Sequence, residues 1–352
     1  DQDLRNTTIY SIVTTRFVNG DPTNDFYCRE RIVKDDPHWR GDFKGLISQL
    51  DYIKDLGFTA ICISPPIENR GPFDYAGTNG YDWMTIDPRL ESPGATYKDF
   101  IDAAHAKNFK VIQTVVLNHS SNYGIRKQVF VDRLHHKYYR KSNFTFPWPY
   151  EFHFGNYKMP NRDDNDNPKA PEWFQEWSRK DPWGGGPIKD PLTGETLPKP
   201  DYNPNRFFGT DEKTLPSDWY HKFGWMSASE SDIASAVQKK HLNQDALDLA
   251  TENWTVKYYL NTAVKKWLDL GVDAIRIDFA RNVDRNEMLP MVNDWKEHKF
   301  QLPVFVDVEC KGTALGQLGW DKLPSELSPW WYTRTGWDPQ NPDSGGNSGL
   351  AA

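Results

Sequence analysis

The chain has 352 residues, 38% hydrophobic and 26% charged, which allows one large barrel domain with an insertion or two ordinary domains and excludes global disorder. The net charge is −7 with no sustained basic stripe, so nucleic acid is not an expected partner, and no run of about 18 apolar residues offers a membrane span. Three cysteines (Cys28, Cys62 and Cys310) cannot all pair, none lies in a C-x-x-C spacing, and their usage leaves the compartment open.

In chain order, residues 9–15 read as a β-branched strand and residues 19–25 as a turn-rich loop. Phe43, Leu46, Ile47, Leu50, Ile53 and Leu56 recur at helical spacing, and Gly57 stops that helix. Residues 60–64 form the next strand and 97–107 the next helix. Residues 110–117 form a strand nearly continuous in apolar side chains, as parallel strands buried on both faces are. From 120 to 245 the period dissolves into Pro, Gly, Asn, Asp and Trp, over a length too great for an ordinary loop. The rhythm then resumes: a helix at 255–270, a strand at 272–277 ending on Asp278, a helix at 287–297, and a strand at 304–308 ending on Glu309.

This alternation predicts an α/β fold, a (β/α)8 TIM-type barrel carrying an inserted irregular domain B after strand three. Residues 1–119 and 246–352 are its two parts and 120–245 the insert. Only about five strands can be counted, and the turn-rich residues 320–352 offer no three more. The C-terminal part of the barrel is therefore expected to be absent from this chain.

In a parallel barrel the functional side chains gather at the C-terminal ends of the strands. Asn118 and His119 fall there after the third strand, Arg276 and Asp278 on the fourth, and Glu309 at the fifth. Two carboxylates on adjacent strand ends suit a nucleophile and an acid, which a retaining glycosidase holds roughly 5–5.5 Å apart. Arg276 precedes Asp278 by two, so both face the barrel interior, and the arginine is expected to lower the carboxyl's pKa. The plainer alternative is a set of buried ion pairs bracing barrel layers; chemistry is favoured because all five residues share one barrel end. Aromatic residues make up 14% of the chain, many in polar stretches, and their flat faces suit the C–H faces of sugar rings. Asn19, Asp21, Asn24 and Asp25 surround a Gly-Asp-Pro turn, an oxygen cluster that suits either a bound cation or a solvated turn.

Five stretches carry a resemblance: TVVLNHSS (114–121), GVDAIRIDFARNV (271–283), VFVDVECKG (304–312), ALDLATEN (246–253) and NGYDWMTIDP (79–88). In this order they resemble the conserved regions of the α-amylase family, the family 13 glycoside hydrolases. The flavour is closest to cyclodextrin glucanotransferases, cyclomaltodextrinases and secreted bacterial amylases. The resemblance implies Asp278 as the nucleophile that forms a glycosyl-enzyme, Glu309 as general acid/base, and Arg276 as the holder of the nucleophile. It implies that His119 and Tyr81 bind the glucose ring under attack, and that Asn118 and Asp248 hold a Ca2+ ion tying domain B to the barrel. Residues 19–25 resemble the N-terminal calcium loop of cyclodextrin glucanotransferases, which would make Asn19, Asp21, Asn24, Asp25 and the downstream Asp42 ligands.

The implied substrate is an α-glucan, starch or malto-oligosaccharide, and the implied place extracellular or at the cell surface, with further domains expected beyond the C-terminus. The start, Asp1-Gln2-Asp3, has no basic region or apolar signal core, so an exported protein would be represented by its mature form. Hydrolysis, transglycosylation and non-catalytic glucan binding all remain open. Three departures stand out. Thr114 occupies the position where the family's first region usually has an Asp that bonds the arginine, so Arg276 is expected to be held differently. Arg281-Asn282 replaces a common Lys-His pair. No Asn-His-Asp follows Glu309 to supply the third acid.

Overall fold

The computed structural model describes residues 4, 6–22, 41–69, 76–87, 89–121, 219–221, 223–224, 226–242, 246–307, 327–328, 332, 334–335 and 346–347. Five strands form one parallel sheet, β1 (Ile9–Ile12), β2 (Ala60–Ile63), β5 (Lys110–Val116), β8 (Ala274–Asp278) and β9 (Val304–Val306), and they lie side by side in chain order. A hairpin of β3 (Ile67–Asn69) and β4 (Gly80–Ile86) stands between β2 and β5 in sequence. Two short strands, β6 (His119–Ser121) and β7 (Ala246–Asp248), pair antiparallel, with His119 opposite Asp248. The segments before and after the expected insert are thereby joined.

Strand by strand, alternate side chains go to opposite faces. Ile61, Ile63, Val111, Val115, Ile275 and Ile277 meet the helices in the main core. On the other face Cys62, Ile112 and Ala274 lie in one cross-strand row of small or branched apolar groups. Two residues further toward the strand ends that row becomes Thr114, Arg276 and Phe305, and one step beyond it Val116 faces Asp278. The inner face is thus apolar below and charged above, as the sequence spacing predicts.

The helices are set by their caps and apolar stripes. In α3 (Tyr97–Ala106) Thr96 and Asp99 form a reciprocal capping box, and Tyr97, Phe100, Ile101 and Ala104 are buried. Counting a six-residue α4 (Ala234–Lys239) in between, the next long helix is α5 (Trp254–Leu270). Asn253 caps it and Gly271 ends it at φ 125°, where a Cβ would also press on Ile101. Asp284 caps α6 (Arg285–His298). The single helix expected over 43–56 is two, α1 (Phe43–Ser48) and α2 (Leu50–Asp55), because Gln49 N–H bonds to Leu46 and tightens the turn between them. The strand expected at 9–15 is also shorter, since Thr14–Arg16 coil into a 3-10 turn.

Most of residues 122–245 and 308–352 lie outside the described residues. Within the latter stretch Tyr332 is fully buried and donates its hydroxyl to the carbonyls of Arg281 at 3.1 Å and Val283 at 2.9 Å. No helix among the described residues is long and apolar enough to cross a membrane.

Candidate active site

Asp278 is the last residue of β8, and the chain turns sharply after it. Phe279 takes left-handed angles (φ 55°, ψ 31°), uncommon for an aromatic residue, and its N–H returns to the Asp278 carboxylate at 2.9 Å. That reversal fixes where the carboxylate points. The His119 ring meets the Phe279 ring edge-on, 4.9 Å between centroids, so the ends of β5 and β8 are locked together.

Arg276 lies two residues earlier on the same face. Its guanidinium is ion-paired with Asp307, which follows β9, and reaches the Thr114 hydroxyl on the other side at 3.4 Å. Burial works against the guanidinium's charge, but Asp278 and Asp307 outweigh it and raise its pKa. The Asp278 carboxyl behaves otherwise than expected. Burial pushes it up by more than Arg276 and the Phe279 amide pull it down, and the Asp307 charge adds to the rise. The expected lowering by arginine is present, but desolvation prevails.

His119 is 1% exposed, and burial lowers its pKa to about 4, so the ring is neutral at ordinary pH. It also hydrogen-bonds the backbone of Thr78, which leads into β4 and Tyr81. Trp83 of β4 donates its indole N–H to Val116 at 3.0 Å, pinning the hairpin over the end of β5. Tyr81 itself is buried, 7% exposed. Arg276, Asp278, His119 and the hairpin bearing Tyr81 are therefore gathered at one end of the sheet. Glu309 lies outside the described residues; Asp307, the last described residue before it, follows β9, which runs parallel to β8.

A second charged cluster stands beside the first. Asn118 and Asp248 are buried and hydrogen-bonded to each other, and Asp248 also meets His221 Nδ1 at 2.5 Å. The other ring nitrogen of His221 meets both carboxylate oxygens of Glu252 at 2.9 Å. Burial pushes Asp248 up to about 7, and its carboxylate partners raise His221 against the opposing effect of burial. An amide oxygen and a carboxylate in this setting are hard donors, and a buried anion that resists ionisation is chemically suited to a calcium ion. Among the described residues no group of three or more His, Cys, Asp or Glu side chains is arranged to hold a metal. In the N-terminal cluster the Asp42 carboxylate accepts the N–H groups of Gly20, Asp21 and Gly45, so it staples the loop to the start of α1. Asn19 and Asp21 stand on that loop, while Asn24 and Asp25 lie outside the described residues.

Sequence reasoning missed two residues. Asp307 is two before Glu309, and that spacing on a strand was the available signal. His221 belongs to no motif, and nothing in its local sequence points to Asp248.

Comparison with known proteins matches residues 11–304 to the catalytic domain of alpha amylase. The beta/alpha-amylase of Paenibacillus polymyxa is 38% identical over 142 residues, 38% of this chain and 12% of that protein. The periplasmic alpha-amylase of Escherichia coli strain K12 is 24% identical over 343 residues, 84% of this chain and 45% of that one. A cyclomaltodextrin glucanotransferase of Bacillus sp. strain 17-1 is 25% identical, over 84% of this chain and 34% of its own. The chain thus spans less than half the length of these relatives. An Anoxybacillus alpha-amylase crystal structure superposes with a TM-score of 0.55 at 21% identity, over 89% of this chain and 49% of that one. At that identity the likeness speaks for the fold alone; the family and its solved structures imply a (β/α)8 barrel, and the described residues show a five-stranded parallel sheet. With the family match running across most of its length, the chain belongs to the alpha-amylase family.

Proposed function

We propose that this chain carries the catalytic residues of a retaining glycoside hydrolase that cleaves α-1,4-glucosidic bonds in starch or malto-oligosaccharides. Asp278 attacks the anomeric carbon and forms the glycosyl-enzyme. Glu309 protonates the leaving oxygen and then takes a proton from the incoming water. The observation that carries this reading is the Asp278 carboxylate, held by the Phe279 amide at the C-terminal end of β8 beside Arg276. Arg276 holds the nucleophile, and neutral His119 and Tyr81 bind the ring under attack.

Residues 120–245 form the inserted domain, a boundary supported by the pairing of β6 with β7 at its two ends. Asn118 and Asp248 would hold a calcium ion at that junction, and the loop bearing Asn19, Asp21, Asn24 and Asp25, together with Asp42 downstream of it, would be a second site. The ion would supply structural charge neutralisation there and take no part in bond cleavage. An exported protein fits this substrate, since starch and its fragments are met outside the cell.

Incubation with maltoheptaose and chromatography of the products tests the reading. Glucose and short oligosaccharides are expected. Longer or cyclic products would shift the assignment to a transglycosylase on the same acids, and an unchanged substrate would leave a glucan-binding barrel without catalysis.

A further inference from the structure

We propose that Asp307 is a positioning residue for the reaction, supplying from just beyond β9 the counter-charge that Thr114 on β5 cannot give to Arg276. The inference rests on Asp278 being the nucleophile and goes beyond it by naming what keeps its arginine in place.

The geometry is asymmetric. Arg276 stands between β5 and β9, cross-strand from Thr114 on one side and Phe305 on the other. Thr114 is 2% exposed and neutral, and its hydroxyl lies 3.4 Å from the guanidinium, at the far limit of a hydrogen bond. That hydroxyl is also 3.7 Å from the Cys62 thiol. The ion pair forms on the other side, to Asp307. Asp307 is itself held at its backbone: its N–H donates to the Ile277 carbonyl at 2.8 Å, and its own carbonyl accepts the Ala280 N–H at 3.2 Å. The carboxylate is thus fixed to the strand end that carries Asp278.

A half-buried guanidinium with one carboxylate partner would turn its whole fork onto that partner. If Asp278 were the only acid in reach, the nucleophile would be tied up in a two-pronged ion pair. Asp307 takes part of the fork and leaves Asp278 free to reach the sugar. A hydroxyl at 114 has no charge with which to do this.

A carboxylate swap in the 352-residue chain, assayed on maltoheptaose, tests the proposal. Asp307→Asn is expected to lower kcat at least tenfold with KM within about twofold. The double variant Thr114→Asp/Asp307→Asn, which returns a carboxylate to the other side of the guanidinium, is expected to regain most of the loss. Asp307→Glu, with the charge kept, is expected to fall between the two, and a cooperative melt for each variant separates lost position from lost fold. A twofold or smaller effect of Asp307→Asn, or a double variant no better than the single, overturns the proposal while leaving Asp278 its role. A parent chain with no turnover overturns the glycosidase reading, and this assignment falls with it.

Discussion

The two acidic clusters at the end of the sheet are built on opposite principles. Around Asp278 a permanently charged guanidinium faces two carboxylates, and the Arg276–Asp307 pair is one-third exposed on each side. Around Asp248 the carboxylate is fully buried and its positive partner is an imidazole that titrates, His221. An arginine cannot release its proton, so the positive charge of the first cluster is fixed across ordinary pH. A histidine can, so the second depends on its proton or on a cation to balance a buried anion. The contrast is between a cluster balanced by a fixed positive charge and one balanced by a proton that can leave.

The largest expected effect falls on the first cluster. Asp278→Asn removes the proposed nucleophile and is expected to reduce maltoheptaose hydrolysis at least a thousandfold while glucan binding persists. More than a tenth of the parent rate would remove Asp278 from that role. The second cluster is expected to answer in stability instead. His221→Ala removes the imidazole partner of the buried Asp248 carboxyl and leaves it its bond to Asn118, a loss of about 1–3 kcal/mol that is expected to lower the melting temperature by several degrees under chelation. Added calcium should recover part of that loss, because an ion that binds only the folded chain stabilises it by mass action. Equal melting temperatures with chelator and with calcium, in parent and variant alike, would dissolve the cation reading of Asn118 and Asp248.

A smaller effect sharpens the contrast from the other side. Because the Asp278 carboxyl is raised by burial, its ionised form costs stability above the ordinary carboxylate range. Asp278→Asn should therefore melt a few degrees above the parent at neutral pH. The gain should vanish as pH falls below the ordinary carboxylate range, where folded and unfolded parent both carry a neutral carboxyl. A variant that melts below the parent at neutral pH would mean that the Arg276 pairing, and not burial, governs this carboxyl.

Much of this was legible in the sequence. The alternation around Arg276 and Asp278 put both on the inner face, and the apolar runs at 60–64 and 110–117 marked two other parallel strands of the same sheet. Local periodicity carries such information because strand geometry is local. The net direction of the Asp278 shift was not legible, since it depends on how much chain closes over the carboxyl, and a neighbour's charge is only one part of that. His221 was hidden for a similar reason. Its partners are 27 and 31 residues away, and no spacing rule connects them. Thr114 signalled from the sequence that Arg276 is held differently, and the fold shows the holder, a carboxylate on the opposite side of the same arginine.

The most direct measurement of the central claim is to trap the glycosyl-enzyme. Incubating the chain with an activated 5-fluoro α-glucosyl fluoride, then digesting it and mapping the labelled peptide by mass spectrometry, locates the covalent bond. The account predicts one sugar per chain, attached to Asp278, and none on the Asp278→Asn variant. Turnover of maltoheptaose by a chain that accumulates no adduct, or an adduct on any other carboxylate, would contradict it.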